Sequence, residues 1–265
     1  MNATDASNAR NRDRRAPRLF VAQPLVRDGR PAPALTLEPQ QSHYLANVLR
    51  LQEGARVLLF NGVDGEWSAS VSALRRGAVT VTPQEQTRPQ SRGPDLHYLF
   101  APLKHARLDY MAQKATEMGA SRLVPVITER TEARRVNLDR MLANAIEAAE
   151  QCGLLAVPEI AAGERLPAAL ARLEPERVLI FCDEEAPAGN PLETLAAIPR
   201  GTPLAVLVGP EGGFTDAERR LLAGMPKAAR ISLGPRILRA DTAAVAALAV
   251  TQAAAGDWTG APAQR

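Results

Sequence analysis

The sequence predicts an α/β protein in two parts, a small N-terminal β-barrel followed by a larger domain with a largely parallel sheet. Short runs that alternate or are continuously apolar, typical of strands, occur between residues 18 and 85. From about residue 96, apolar runs alternate with helical stretches, as in βαβ units. Residues 83–95 are poor in apolar side chains and carry three prolines and a glycine, which predicts a linker.

The first part, residues 17–85, is predicted to form five strands and one helix. The strands are "RLFV", "ALTLE", "ARVLLF", "EWSASVSAL" and "AVTVT". The turn residues in "NGVDGEW" favour a hairpin between the third and fourth strands. The helix is "PQQSHYLANVLRL", which we expect Gly54 to close. A basic tail precedes this part at residues 1–16, and we assign residues 86–95 to the linker.

The second part, residues 96–258, is predicted to hold the parallel sheet, and a short tail follows at 259–265. Its strands are "LHYLFA", "RLVPVIT", "RVLIFC", "PLAVLV" and "ARISL". In "HARLDYMAQKATEMG" the apolar residues share one helical face and Gly119 is the expected terminator. A second helix is expected from an Asn137 N-cap to Gly153. The apolar face of the first helix comprises Leu108, Met111, Ala112, Ala115 and Met118.

Composition excludes several classes of protein. With 46% hydrophobic and 23% charged residues and no apolar run of about 18 residues, the chain resembles an ordinary soluble globular protein. Cys152 and Cys182 are too far apart in sequence for a metal knuckle, and the histidines His43, His97 and His105 form no metal-binding pattern. The first residues lack the apolar region of a secretory signal. We therefore expect no metal and a cytoplasmic location.

The basic residues are almost all arginines. The formal net charge is only +3, but Lys104, Lys114 and Lys227 are the only lysines. Arginine contacts phosphate bidentately and stacks on bases, which makes nucleic acid a candidate partner. A GC-rich coding sequence would give the same bias, and that alternative stays open.

The stretch "LVGPEGGFTDAE" runs from an apolar strand through a glycine loop to a helix start. Thr215 and Glu218 form a capping box for that helix, so a ligand can sit at its N-terminus. The loop lacks the Walker A ending and the GxGxxG spacing, and Glu211 would repel a phosphate. A cationic ligand rich in hydroxyl and amino groups, such as S-adenosylmethionine, fits better. The alternative is that Gly209, Gly212 and Gly213 only make a tight turn.

A second glycine loop follows the strand in "ISLGPRILRADTAAVAALAV". A helix of strong formers begins near Asp241, after Gly234 and a short connection. Two such loops at one edge of a parallel sheet would line a single crevice. Arg239 can point into that crevice and meet negative charge. Asp241 can equally be a simple N-cap.

Together these segments resemble the bacterial 16S ribosomal RNA uridine N3-methyltransferases, a SPOUT family that modifies the uridine conventionally numbered 1498. The matching pieces occur in family order across nearly the whole chain after the tail. They are "RLFV", "HYLANVLRL", "QKATEMGA", "ITER", "EAAEQCG" with "VPEI", "VGPEGGFTDAE" and "LGPRILRADTA".

The resemblance implies a PUA-like barrel that helps hold RNA and a SPOUT domain whose final strands thread a deep trefoil knot. It implies S-adenosylmethionine as the methyl donor, a homodimer, and the small (30S) ribosomal subunit as the substrate-bearing partner. Catalytic roles fall on Arg239 and Asp241. The expected RNA contacts are Arg18, His43, Arg50, Lys104 and Arg130. The expected cofactor contacts are Leu207, Gly209, Pro210, Glu211, Gly212, Gly213, Leu233, Gly234, Leu238 and Thr242.

Three positions depart from the family pattern. Asp241 stands where relatives usually have Glu, and Leu154 stands where they have Arg. The segment after "ITER" lacks the usual tryptophan and has Met141 and Leu142 nearby. Other readings are a SPOUT enzyme acting on transfer RNA or a ribose oxygen, a non-catalytic RNA-binding protein, and a nucleotide-phosphate enzyme, which Glu211 disfavours.

Overall fold

The computed structural model describes residues 16–91, 93–104, 106–133, 135–187 and 189–258, which form two compact units. The first unit contains the described residues up to 91 together with 149–156, and the second contains the remainder. Residues 1–15 of the predicted basic tail, His105 and the tail at 259–265 lie outside the described residues.

The first unit is built on a five-stranded sheet in the order β1-β5-β6-β7-β4. Strands β1 and β5 are parallel, and the other neighbours are antiparallel. A separate hairpin joins β2 and β3 through Asp28 and Gly29, which both have positive φ. The strands are β1 (Arg18–Phe20), β2 (Val26–Arg27), β3 (Arg30–Pro31), β4 (Leu35–Thr36), β5 (Arg56–Phe60), β6 (Glu66–Arg75) and β7 (Ala78–Arg88).

The helix of the first unit ends earlier than the sequence suggested. Helix α1 (Pro39–His43) continues as a π-helical turn over Tyr44–Val48. The residue that ends it is Arg50, at φ 53, so the prediction that Gly54 closes this helix is wrong. The Leu51 N–H donates to the Leu45 carbonyl at 3.0 Å, which holds the chain reversal at Arg50 without a glycine. Gly54 instead lies in the turn before β5.

Strand β7 also runs further than predicted. It reaches Arg88, so residues 86–88, which we expected in the linker, are strand. Their polar composition concealed the pairing, in which Gln86 lies opposite Trp67 and Arg88 opposite Glu66. The Thr87 hydroxyl donates to Glu66 Oε1 at 3.0 Å, which adds a side-chain hydrogen bond to the pairing of β6 and β7.

The second unit holds a seven-stranded sheet in the order β10-β9-β8-β13-β12-β14, with β11 also paired to β9. Every pairing is parallel, which confirms the predicted sheet. The strands are β8 (Leu96–Phe100), β9 (Arg122–Ile127), β10 (Glu159–Ile160), β11 (Glu164–Arg165), β12 (Val178–Cys182), β13 (Leu204–Val208) and β14 (Ala228–Ile231). The helices are α2 (Ala106–Glu117), α3 (Leu138–Cys152), α4 (Leu166–Ala171), α5 (Pro191–Ala196), α6 (Asp216–Ala223) and α7 (Ala240–Ala254). Residues 149–152 of α3 belong to the first unit.

The central strands are apolar at successive positions because helices cover both faces of the sheet. On β13, Val206 packs in a core that contains residues of α2 and α7, whereas Leu207 packs with residues of α4 and α6. Two helix ends also follow the sequence. Gly119, at φ 84, terminates α2, and the Asn137 side chain accepts the Arg140 N–H at 3.0 Å to begin α3.

Candidate functional site

The two glycine loops leave the sheet at the same edge, one strand apart. Val208 at the end of β13 lies opposite Cys182 at the end of β12, and Cys182 lies opposite Ile231 at the end of β14. Neighbouring strands are about 4.8 Å apart, so the two loops start about 10 Å from each other. This is the carboxyl edge, where ligands bind in open parallel sheets.

The first loop, residues 209–215, needs its glycines for close packing as well as for the turn. A Cβ at Gly209 would lie 2.9 Å from the Phe214 ring. Gly213 has φ +68, and a Cβ there would overlap the Glu184 carboxylate. The Gly213 N–H donates to the Pro210 carbonyl at 2.9 Å, and the predicted capping box of Thr215 and Glu218 is present. The loop is therefore a tight turn whose glycines pack closely against Phe214 and Glu184.

Glu211, at the tip of this loop, does not carry an uncompensated charge. Its carboxylate forms an ion pair with Arg107 of α2, and its side chain is 58% exposed. This ion pair offsets the negative charge of Glu211. The expectation that Glu211 repels a phosphate is therefore weaker than the sequence alone suggested. Arg130 donates to the Gly212 carbonyl at 2.6 Å and holds the loop from a second side.

A cluster of charges lies between the two loops, at the end of β12. The Asp183 side chain is fully buried and accepts hydrogen bonds from Arg219 at 3.2 Å and Arg230 at 2.9 Å. Arg219 also donates to Glu184 at 2.8 Å, which places the Glu184 carboxylate against Gly213. Burial raises the pKa of the neighbouring Cys182 thiol to about 12, so it is not a nucleophile at neutral pH. This cluster was not predicted from the sequence, in which "CDEE" after the strand was the available signal.

The second loop, residues 232–239, leads directly into α7. Gly234 has φ +100, and the loop ends at Arg239, which occupies the N-cap position. Asp241 is the second residue of the helix, and its carboxylate accepts the Thr242 N–H at 2.9 Å. The alternative that Asp241 is the N-cap is therefore wrong. In the described part of the chain, the Asp241 carboxylate makes no hydrogen bond or ion pair with Arg239.

Arg239 is available to a ligand. Its side chain is exposed, and among the described residues it has no hydrogen bond or ion pair. Ile237, two residues earlier, is 100% exposed, so this end of the loop is open. Leu233 and Leu238 are half-buried and Thr242 is exposed.

Four of the five predicted RNA contacts differ in what their side chains contact within the protein. His43 is hydrogen-bonded to Asn47 at 2.9 Å, and Arg50 is exposed at the positive-φ helix end. Lys104 pairs with Glu132 at 2.5 Å, a hydrogen bond that raises the pKa of Lys104 and lowers the pKa of Glu132. Arg130 holds the first loop, as described above.

Arg18 is a structural residue, which corrects the prediction that it contacts RNA. Its guanidinium donates to Glu66 at 2.7 Å and to the carbonyls of Ala149, Glu150 and Leu154, each at 2.9 Å. It also lies 4.6 Å from the centroid of the Phe60 ring. Its side chain is 13% exposed, and four of its five N–H donors are occupied within the first unit.

We expect Arg18→Ala to lower the free energy of unfolding of the first unit by about 3 kcal/mol, because it leaves the buried Glu66 carboxylate without its main partner. The chain has two tryptophans, Trp67 and Trp258. In a Trp258→Phe background, urea unfolding followed by Trp67 fluorescence therefore reports on the first unit alone. Arg27→Ala, an exposed position of β2, is the control and should change this value by less than about 0.5 kcal/mol. A loss of under about 1 kcal/mol for Arg18→Ala would contradict the structural role.

The described part of the chain contains neither a membrane-spanning helix nor a group of side chains suited to a metal ion. None of the helices there combines the length and the apolar character that crossing a bilayer requires. Within the same ranges, no three His, Cys, Asp or Glu side chains are grouped so that they could hold a metal ion.

Comparison with known proteins places both units in one family. Residues 90–252 match the model of the RNA methyltransferase domain, and residues 37–84 match that of the RNA methyltransferase PUA domain. The ribosomal RNA small subunit methyltransferase E of Rickettsia conorii is 32% identical over 207 residues, which cover 78% of this chain and 84% of that protein. The protein of the same name from Bacillus subtilis is 28% identical over 228 residues, which cover 82% of this chain and 89% of that protein.

Solved structures agree with this result. A Legionella pneumophila methyltransferase in complex with its bound cofactor SAM has 31% identity and a TM-score of 0.79, over 92% of this chain and 99% of that one. The ribosomal RNA small subunit methyltransferase E of Neisseria gonorrhoeae, bound to S-adenosyl methionine, has 25% identity and a TM-score of 0.81 over the same shares. Because both family models match and the Rickettsia conorii protein is 32% identical over 78% of this chain, the chain belongs to the ribosomal RNA small subunit methyltransferase E family.

Proposed function

We propose that this protein transfers the methyl group of S-adenosylmethionine to N3 of one uridine, position 1498, of 16S ribosomal RNA in the small subunit. The observation that carries the proposal is the pair of glycine loops at one edge of the parallel sheet. They follow strands β13 and β14, whose last residues are both aligned with Cys182 of β12. Relatives that cover almost the whole chain were solved with this cofactor bound, which supports the same donor here.

The residues of the two loops fit such a ligand. Gly209 and Gly213 let the loop pack tightly against Phe214 and Glu184, which fixes the position of the backbone groups that we assign to the cofactor. We assign the cofactor to the backbone of this loop and of the second loop, with polar contacts from Glu211 and Thr242. The backbone contributors are Leu207, near the end of β13, and the loop residues Gly209, Pro210, Gly212, Gly213, Leu233, Gly234 and Leu238.

The reaction requires uracil N3 to lose a weakly acidic proton and to align with the methyl group. The cofactor supplies an electrophilic methyl on a sulfonium. Arg239, exposed and unpaired among the described residues, would stabilise the negative charge that builds on the uracil carbonyl oxygens. Asp241, two residues further on, would accept the proton. Because N3 lies on the Watson–Crick edge, the uridine must be unpaired or flipped out before it reacts.

We also propose that the protein acts as a homodimer in the cytoplasm and that its sheet carries the trefoil knot of its family. Helix α7 supports the dimer, because it is apolar around most of its circumference. Ala243, Ala246, Ala249 and Val250 remain only half-buried within one chain. A second copy packed against this helix would cover them.

The test is methyl transfer from tritiated S-adenosylmethionine to small subunits purified from a strain that lacks the gene. We expect about one methyl group per subunit, and little transfer to subunits from the parent strain, which are already modified. Naked 16S ribosomal RNA, assayed in parallel, shows whether the assembled subunit is required. Equal transfer to both kinds of subunit, or none to either, would refute the proposal.

A further inference from the structure

A cavity that is half open to solvent lies in the second unit, next to the segment from which Arg107 holds the first glycine loop. Its volume is about 620 Å³, within the usual range for small-molecule sites. The loop after β8, the start of α2, and the segment that leads into α3 line it. Strand β8 is the direct neighbour of β13, and the Ala101 N–H donates to the Val208 carbonyl at 3.1 Å. Arg107, which lies in sequence between the lining residues Lys104 and Leu108, pairs with Glu211.

The charged lining of this cavity is mainly positive. It includes Lys104, Arg135 and Arg140, against the carboxylate of Asp109, and Lys104 also pairs with Glu132. Asp109 is already bound by Arg140, at 2.8 and 2.5 Å. Arg135 is exposed and has no ion pair or hydrogen bond among the described residues. A sulfonium would be repelled here, whereas a phosphate would be attracted.

The other part of the lining is apolar and comprises Leu103, Leu108, Val136 and Met141. The Asn137 side chain also reaches the lining, but its oxygen is occupied by the Arg140 N–H. A cavity with one apolar side and unsatisfied guanidinium donors suits a molecule that has a flat apolar part joined to an anion. A nucleotide has these two parts, a base and a phosphate.

We propose that this cavity binds one nucleotide of the RNA substrate, with its phosphate at Arg135 and Lys104 and its base against the apolar side. The inference rests on the proposed function, since it takes RNA to be the substrate. The two ligands then bind at different places and carry different charges. The cationic methyl donor binds at the glycine loops, and an anionic nucleotide of the RNA binds in the adjoining cavity. Arg135 is thereby assigned a role in binding RNA that is independent of the methyl donor.

The experiment uses a ten-nucleotide, uridine-containing RNA with a 5′ fluorescein, titrated with the full-length protein in the presence of S-adenosylhomocysteine. Fluorescence anisotropy at several salt concentrations gives the affinity and its salt dependence. Arg135→Ala should weaken binding at least about fivefold and reduce the slope of log affinity against log salt by about 0.7, the value for one lost phosphate contact on a single strand. Arg200→Ala, an exposed arginine in the loop before the amino end of β13, should leave both unchanged.

A second measurement does not depend on any variant. The same RNA with 4-thiouridine in place of uridine is crosslinked to the wild-type protein, and the modified peptides are identified by mass spectrometry. We expect crosslinks within residues 103–109 or 133–141. Crosslinks confined to other segments, no binding of the RNA by the wild-type protein, or an unchanged salt slope in Arg135→Ala would each overturn the proposal.

The outcomes also separate this inference from the proposed function. Binding of S-adenosylmethionine by Arg135→Ala, measured by calorimetry, should equal that of the wild type and shows that the variant is folded. If RNA binds at the cavity but no methyl reaches small subunits, the proposed function fails and the cavity assignment stands. If methyl transfer occurs and Arg135→Ala binds RNA like the wild type, only the cavity assignment falls.

Discussion

Replacing Arg239 by alanine should lower the rate of methyl transfer to small subunits about 100- to 1,000-fold, the usual effect of removing one group that stabilises developing charge. The affinity for S-adenosylmethionine should stay within about twofold, because the cofactor is assigned to loop backbone and not to this side chain. Single-turnover transfer of a tritiated methyl group measures the first quantity and calorimetric titration the second.

Two further variants control this prediction. Arg236→Ala removes an exposed arginine from the same loop and should change the rate less than about threefold. Arg239→Lys keeps the charge but loses the planar fork, so an intermediate rate is expected. Wild-type turnover by Arg239→Ala would remove this residue from its catalytic role, whatever the result for Arg236.

Replacing Gly213 by alanine should weaken the binding of S-adenosylmethionine by more than about tenfold. At φ +68 an alanine is strained by about 1–2 kcal/mol, and its methyl group would overlap the Glu184 carboxylate, which Arg219 holds in place. The loop must therefore move, and the backbone groups assigned to the cofactor move with it. Calorimetric titration of the purified variant gives the dissociation constant directly.

The control is Gly201→Ala, which has a similar φ of +78 but no heavy atom within 4 Å of the added Cβ. It carries the same backbone strain outside the site, so it should bind S-adenosylmethionine as the wild type does. The double variant Gly213→Ala with Glu184→Ala removes the overlap but keeps the strain, and it should recover part of the affinity. Wild-type affinity in Gly213→Ala alone would show that this loop does not position the cofactor.

Local features of the sequence predicted most of the fold. The apolar runs of the strands, the Thr215 capping box, and the helix ends at Gly119 and Gly153 all depend on residues within a few positions of one another. The helix end at Arg50 was missed because a hydrogen bond from Leu51 to Leu45 holds a non-glycine residue at positive φ. Propensity alone favours glycine at such a position.

The partners of the site residues could not be predicted, because they meet through space. Glu211 pairs with Arg107, which is 104 residues away in the chain, and Asp183 binds Arg230 across 47 residues. Arg18 looked like a surface cation but bonds to carbonyls more than 130 residues away. The sequence identified the two loops of the candidate site, whereas the contacts that hold those loops required the structure.

The most direct test of the central claim is mass analysis of nucleosides and fragments of 16S ribosomal RNA from a strain that lacks the gene. We expect one methyl group to disappear, from N3 of uridine 1498. We also expect the methyl group to return with the wild-type gene but not with Arg239→Ala. An unchanged 16S ribosomal RNA, or a methyl group lost from transfer RNA or from a ribose oxygen instead, would contradict it.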